Sequence, residues 1–192
     1  MKIKLIASTI ILLIATFAFL LFIPKIITVH QSIATLPTGM NSNFLNQVNQ
    51  CLIPVAAVYG YDLYITSGFR SMTEQAALYD QGRTTNGAII SEAPPGHSLH
   101  NYGYAVDVAD RQDGYNINWT KLVKIGAYCH LESGGQGDLP HFEYRGGLST
   151  DDFAAGKRPP PLALPCPVMG ERAKANQPLT LKDLQSCAMP QF

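Results

Sequence analysis

The sequence lacks any excess of charge. Its 192 residues contain 14 Lys and Arg against 14 Asp and Glu, and charged residues make up 15% of the chain. No stretch is rich in Lys or Arg, so nothing indicates a polyanionic partner, and we expect no binding of nucleic acid. Internal repeats are absent as well, and the length allows one domain with accessory segments.

The chain also lacks any Cys-x-x-Cys pair, which argues against a thiolate metal site or a dithiol redox motif. Its four cysteines are Cys51, Cys129, Cys166 and Cys187. Isolated cysteines in this number agree with an oxidising compartment. Three pairings are possible, and we predict Cys51–Cys129 within the main domain and Cys166–Cys187 within the C-terminal tail.

Charge is missing from one long apolar run, Leu5 to Ile23. Nineteen such residues are enough to cross a bilayer as a helix. Lys2 and Lys4 precede the run, which predicts a cytoplasmic N-terminus and export of the remainder to the periplasmic or extracellular side. The alternative is a cleaved signal peptide, whose apolar core is normally shorter and ends at a small-x-small site. We therefore predict a single-pass anchor in the cytoplasmic membrane.

Apolar periodicity and turn residues predict a mixed order of helices and strands. Helices are expected over Asn41 to Val58, Thr73 to Gln81, Trp119 to Cys129 and Thr180 to Ser186. Strands are expected over Tyr61 to Thr66, Tyr104 to Val108 and His141 to Tyr144, and a loop over Arg83 to Gly96. This order predicts an α+β fold with a small antiparallel sheet flanked by helices.

Two polar clusters carry the chemistry that the sequence suggests. Asp107 lies seven positions after His100, and His141 follows in a second cluster. Two imidazoles and one carboxylate can form a three-ligand zinc site with a position left open for water. The carboxylates of Asp138 and Glu143 flank His141 in sequence, so either could supply a general base.

Three ordered motifs resemble those of the zinc D,D-peptidases of cell-wall metabolism. They are S-G-F-R-S beginning at Ser67, S-x-H-x-x-G-x-A-x-D beginning at Ser98, and D-x-P-H-F-E beginning at Asp138. The resemblance spans Leu63 to Tyr144. That family includes D-alanyl-D-alanine carboxypeptidases, vancomycin-resistance D,D-dipeptidases and the L-alanyl-D-glutamate endopeptidases of phage endolysins, and it implies the same α+β architecture.

The resemblance also implies residue roles. His100, Asp107 and His141 match the ligands of Zn²⁺. Arg70 matches the arginine that binds the substrate carbonyl or terminal carboxylate and stabilises the tetrahedral intermediate, roles that suit a guanidinium fork. Two further positions match residues that contact the substrate or brace the site: Ser98 and Gln75.

The identity of the base depends on one position in the third motif. Asp138 lies three residues before His141, which resembles the D-x-x-H of the phage-type endopeptidases, whereas relatives that act on free dipeptides or peptide termini carry E-x-x-H. We therefore predict Asp138 as the base. Glu143 remains the alternative, or it orients the imidazole of His141 from the same face of a strand.

These observations predict a membrane anchor over residues 1–24, a linker over 25–40, a zinc metallopeptidase domain over 41–155 and a proline-rich tail over 156–192. The expected function is hydrolysis of the stem peptide of peptidoglycan, with an L-alanyl-D-glutamate endopeptidase favoured by the aspartate at position 138. The alternative activity is that of a D-alanyl-D-alanine carboxypeptidase. An alternative of another class is a non-catalytic zinc-binding module on the same scaffold, which Hedgehog signalling domains resemble.

Overall fold

A computed structural model of the protein describes residues 38–135, 137–187 and 189. The first helix, α1 (Ser42–Gln47), continues through a π-helical turn (Val48–Leu52) into α2 (Ile53–Val58). The chain then forms β1 (Leu63–Ser67), α3 (Met72–Asp80), a short 3₁₀ helix (Leu99–Tyr102), β2 (Ala105–Asp110), α4 (Trp119–Tyr128), β3 (Glu132–Ser133) and β4 (His141–Glu143). Three further helices follow: α5 (Thr150–Ala154), α6 (Pro167–Lys174) and α7 (Leu181–Ser186).

The four strands form one antiparallel sheet in the order β1-β2-β4-β3. Strand β2 is central, and its residues alternate between the two faces because a strand has a period of two. Val106 and Val108 are fully buried in the core, whereas Asp107 points to the other face. Register in β2 and β4 pairs Asp107 with His141. The predicted α+β class with a small antiparallel sheet is confirmed.

The first helical stretch matches the apolar stripe that predicted a helix to Val58. Asn41 caps it, because its side chain accepts a hydrogen bond from the backbone N–H of Phe44 at 3.0 Å. The side chains of Phe44, Val48, Cys51, Leu52 and Val55 are buried to a relative exposure of 0%. This continuous apolar face fixes the helix against the sheet and buries one half of the first disulfide.

Both predicted disulfides are present, Cys51–Cys129 and Cys166–Cys187. The first joins the π-helical turn to the end of α4 across 78 residues of sequence, and the second spans 21 residues near the C-terminus. No cysteine among the described residues is free.

The C-terminal segment, defined here as residues 156–187 and 189, packs on the rest of the molecule. Cys166, Met169, Leu179, Leu184 and Met189 are buried in the same hydrophobic cluster as the first helices and the sheet. The sequence suggested a helix at its end but none at residues 167–174, where α6 forms. Pro167 argued against a helix at this position. Proline is nevertheless well tolerated in the first turn, because backbone N–H groups there have no intrahelical acceptor.

The predicted membrane segment, Leu5 to Ile23, lies outside the described residues. Within residues 38–135, 137–187 and 189, no helix has both the length and the apolarity needed to span a bilayer.

Candidate functional site

Three side chains from separate elements converge at one end of the sheet. His100 lies on the 3₁₀ helix, Asp107 on β2, and His141 opens β4 opposite Asp107. Nε2 of His100 lies 3.2 Å from Nδ1 of His141 and 3.5 Å from Oδ1 of Asp107. Nδ1 of His141 lies 3.2 Å from the same Asp107 oxygen. The three candidate ligand atoms thus lie within 4.8 Å of one another, a spacing at which they could hold a metal ion.

The outer nitrogen of each imidazole is held by an acceptor. Nδ1 of His100 lies 2.6 Å from the carbonyl oxygen of Gly68, and Nε2 of His141 lies 2.9 Å from Oε2 of Glu143. A nitrogen that donates to such an acceptor carries the proton, which leaves the other nitrogen of the ring as a ligand. Both inward nitrogens therefore fit a metal ion, and with the Asp107 carboxylate they make a donor set typical of zinc.

The charges of the cluster favour a cation. Burial acts to raise the pKa of Asp107, but hydrogen bonds from His100 and His141 and their charges outweigh it and hold this pKa well below its usual range. Burial acts to lower the pKa of His141, yet its hydrogen bonds to Asp107 and Glu143 raise it to about 9. Two carboxylates thus favour positive charge at His141, and a divalent cation that binds its ring displaces the proton.

The two candidate bases occupy different positions. Asp138 lies on the loop between β3 and β4, with Oδ2 3.8 Å from Nδ1 of His141 and a side chain that is 58% exposed. Glu143 is buried, and both of its oxygens accept hydrogen bonds, one from His141 and the other from Arg145. Asp138 therefore faces the inner, metal-facing nitrogen of His141 from the solvent side, whereas Glu143 contacts the outer one.

The loop that carries Asp138 approaches the site closely at a glycine. A Cβ atom at Gly134 would lie 2.6 Å from the carbonyl oxygen of Asp138 and 2.9 Å from Cβ of His141. A side chain at position 134 would therefore displace the backbone of Asp138 or His141.

Arg70 lies at the edge of the cluster. Its Nη2 is 4.0 Å from Oδ2 of Asp107 and donates to Oγ of Ser67 at 3.2 Å, while Nη1 donates to Oε1 of Gln75 at 2.9 Å. A groove of about 520 Å³ opens beside it, between residues 67–70 and α3. The guanidinium is thus held beside the cluster and lines this groove.

Gln75 braces the site through a fully buried amide. Besides accepting from Arg70, it donates from Nε2 to Oγ of Ser91 at 2.8 Å and to the carbonyl oxygen of Ala93 at 2.6 Å. These contacts tie Arg70 to the loop that precedes the 3₁₀ helix. Ser98 lies half-buried at the start of that helix, and its side chain makes no capping hydrogen bond.

Two supporting residues, Asn101 and Arg145, were not predicted from the sequence. Asn101 is buried and donates to the carbonyl oxygen of Arg70 at 2.9 Å, while its Oδ1 accepts from the N–H of Gly96 at 3.0 Å. Arg145 donates from Nε to Oε1 of Glu143. Arg145 stands two residues beyond Glu143, and this spacing along an extended chain is the signal that could have found it.

Comparison with known proteins identifies the family. The model of the family described as "VanY: D-alanyl-D-alanine carboxypeptidase" matches residues 39–128. The peptidoglycan L-alanyl-D-glutamate endopeptidase CwlK of Bacillus subtilis (strain 168) is 38% identical, over 52% of this chain and 70% of CwlK. The chain belongs to the zinc D,D-peptidase family. The resemblance drawn from the sequence motifs is thereby confirmed.

Two solved structures are similar at lower sequence identity. The vancomycin-resistance D,D-pentapeptidase VanY, solved as a variant in complex with Zn(II), is 17% identical with a TM-score of 0.45, over 60% of this chain and 83% of that chain. The L-Ala D-Glu endopeptidase ChiX of Serratia marcescens is 20% identical with a TM-score of 0.38, over 60% of this chain and 84% of that chain.

Proposed function

We propose that this protein is a zinc-dependent peptidase that cleaves the stem peptide of peptidoglycan at the L-alanyl-D-glutamate bond. The observation that carries the proposal is the convergence of His100, Asp107 and His141, with Arg70 and an exposed Asp138 at the edge of the same cluster. The 38% identity to CwlK supports the choice of substrate and bond.

Each residue of the site has a role in this reaction. Bound zinc supplies a Lewis acid that polarises a carbonyl and lowers the pKa of water. Asp138 accepts a proton from the attacking water as the new C–O bond forms, and returns that proton to the amine as the C–N bond breaks. Arg70 donates hydrogen bonds to the substrate oxygen that gains negative charge. Ser98 precedes His100 by two residues, and its hydroxyl makes no capping hydrogen bond, so it is available to contact the peptide.

Glu143 serves the site without acting as the base. Both of its oxygens are engaged, and its contact with His141 is on the ring nitrogen that faces away from Asp107 and His100. This carboxylate therefore fixes the orientation and tautomer of the imidazole. Gln75 likewise positions Arg70 and makes no direct contact with substrate, because its amide is buried and fully hydrogen-bonded.

A second candidate is the D-alanyl-D-alanine carboxypeptidase activity for which the matching family model is described. The two activities release different products. An endopeptidase of the first kind exposes a new amino group on D-glutamate, whereas a carboxypeptidase releases free D-alanine and leaves the L-alanyl-D-glutamate bond intact.

The deciding experiment uses the full chain in detergent on purified peptidoglycan, with mass spectrometry of the soluble products. We expect cleavage after L-alanine, its loss on chelation and its return when zinc is added. Asp138→Asn should bind zinc normally but lose activity. Release of D-alanine alone would favour the carboxypeptidase, and zinc binding with no cleavage of either bond would favour the non-catalytic module.

We also propose that residues 5–23 anchor the protein in the cytoplasmic membrane with the peptidase domain outside the cytoplasm. The uncharged run and the two lysines before it support this location. When the full chain is expressed and membranes are washed at alkaline pH, the protein should stay in the pellet. Recovery in the wash would contradict an anchor.

A further inference from the structure

The outer side of the metal cluster ends in a buried carboxylate with two partners. Oε2 of Glu143 accepts from Nε2 of His141 at 2.9 Å, and Oε1 accepts from Nε of Arg145. The Glu143 side chain is 10% exposed and that of Arg145 is 35% exposed. The buried carboxylate of Glu143 therefore links the half-exposed guanidinium of Arg145 to Nε2 of the candidate ligand His141 through two hydrogen bonds.

The carboxylate needs this second partner for electrostatic reasons. Glu143 lies directly opposite Glu132 on the neighbouring strand β3, and like charges in cross-strand positions repel each other. Arg145 counters both, because its backbone N–H also donates to Oε1 of Glu132 at 3.2 Å. A buried carboxylate that is held by one hydrogen bond only can rotate away from that partner.

We propose that Arg145 is a positioning residue for the metal centre. It holds Glu143 on the outer nitrogen of His141, so that Nδ1 is presented to the ion and the Glu143 carboxylate stays out of the coordination sphere. The proposal rests on the function proposed above for the His100, Asp107 and His141 cluster. Outer partners of a ligand histidine typically contribute a factor of about 10 to 100 in metal affinity.

The first test is the zinc affinity of the full chain, measured by competition with a chromophoric chelator. Arg145→Gln should weaken binding about 10- to 100-fold, and Arg145→Lys should restore part of that loss because it keeps the charge. Arg111→Gln is the matched control, because Arg111 pairs with Asp62 at the surface and stacks on Tyr64 away from the cluster. The control should bind zinc as the wild type does.

A double-mutant cycle then tests whether Arg145 acts through Glu143. In a Glu143→Gln background, Arg145→Gln should change the zinc affinity less than about twofold. Co²⁺ substitution gives an independent readout, because the visible spectrum of the bound ion should shift in Arg145→Gln and stay unchanged in Arg111→Gln.

Two results would overturn the positioning role: a wild-type zinc affinity in Arg145→Gln, or the same loss in both backgrounds. Either result leaves the proposed peptidase standing, since wild-type binding and cleavage are measured in parallel. A wild-type chain that binds no zinc and cleaves no stem peptide would instead overturn the function itself.

Discussion

The cluster of His100, Asp107 and His141 and the C-terminal segment are held in place by different interactions. Around the cluster, each side chain is fixed by directional hydrogen bonds, such as that between His100 and the carbonyl oxygen of Gly68. The C-terminal segment is fixed by apolar burial, by the Cys166–Cys187 disulfide and by the amide of Asn43, which bonds to both backbone groups of Leu162.

The two regions therefore differ in which substitutions they tolerate. A metal ligand admits few residue types, and its partners must stand at set distances, so a change there should abolish function with a limited effect on stability. A packed apolar segment admits many residue types, so a change there should lower stability while the folded molecules remain active. Variants in the two regions should therefore differ in whether they lose activity or stability.

Removal of a ligand should have the largest effect. In His100→Ala we expect stoichiometric zinc to be lost and kcat/KM for stem-peptide cleavage to fall by at least about 1,000-fold, as for other dominant electrostatic elements of active sites. Zinc content by atomic emission and product formation by chromatography measure the two quantities. Retention of both would show that the ion binds elsewhere.

Arg70→Lys should lower kcat/KM by roughly 100-fold, because an ammonium group cannot reproduce the fork that also bonds Gln75 and Ser67. Zinc content should not change. The matched control is Arg172→Lys, since Arg172 pairs with Asp183 within the C-terminal segment. Equal activity losses in the two variants would remove the distinction between the regions.

Loss of the C-terminal disulfide should act on stability alone. Replacing Cys166 and Cys187 together by serine should lower the free energy of unfolding by about 3 kcal/mol, given the loop of 21 residues. The same change at Cys51 and Cys129 should cost about 4.5 kcal/mol, because that loop has 78 residues. Urea denaturation gives both values. A fall in kcat/KM of folded Cys166→Ser/Cys187→Ser protein would contradict the contrast.

The smallest effect should come from a carboxylate in the C-terminal segment. Burial acts to raise the pKa of Asp183, but hydrogen bonds from Thr180 and Arg172 outweigh it and lower this pKa. A pKa lower in the folded than in the unfolded state gives stability that is present above the unfolded pKa and is lost as pH falls through the folded pKa. Asp183→Asn should therefore be about 1 kcal/mol less stable than wild type at neutral pH.

That stability difference should vanish in strong acid, where the wild-type carboxyl is protonated as well. Urea denaturation of both proteins at neutral pH and at about pH 2, below the ordinary aspartate range, tests this. A difference that is independent of pH would mean that Asp183 acts through packing instead of charge.

The sequence predicted the ligands better than their surroundings. His100, Asp107 and His141 were predicted because their motifs resemble those of the zinc D,D-peptidases, whereas their spacing alone was a weaker signal. The disulfides Cys51–Cys129 and Cys166–Cys187 were one choice among three possible pairings, and the structure contains both. The contacts of Gln75 with Ser91 and Ala93 could not be predicted from the sequence. A glutamine amide can bond to any backbone group, and the loop from Arg83 to Gly96 has no periodic pattern. Helix α6 was not predicted because Pro167 stands in its first turn and because Met169 is its one buried residue, so no apolar stripe marks it.

The Cys51–Cys129 disulfide divides the ligand set. Residues 100 and 107 lie inside the covalent ring that it closes, while residue 141 lies beyond it and joins them only when β4 pairs with β2. A chain that has formed this disulfide but has not yet paired β4 with β2 thus offers an ion only two of the three candidate ligands, His100 and Asp107. Under the proposed function, hydrolysis of the stem peptide would therefore depend on the pairing of β4 with β2.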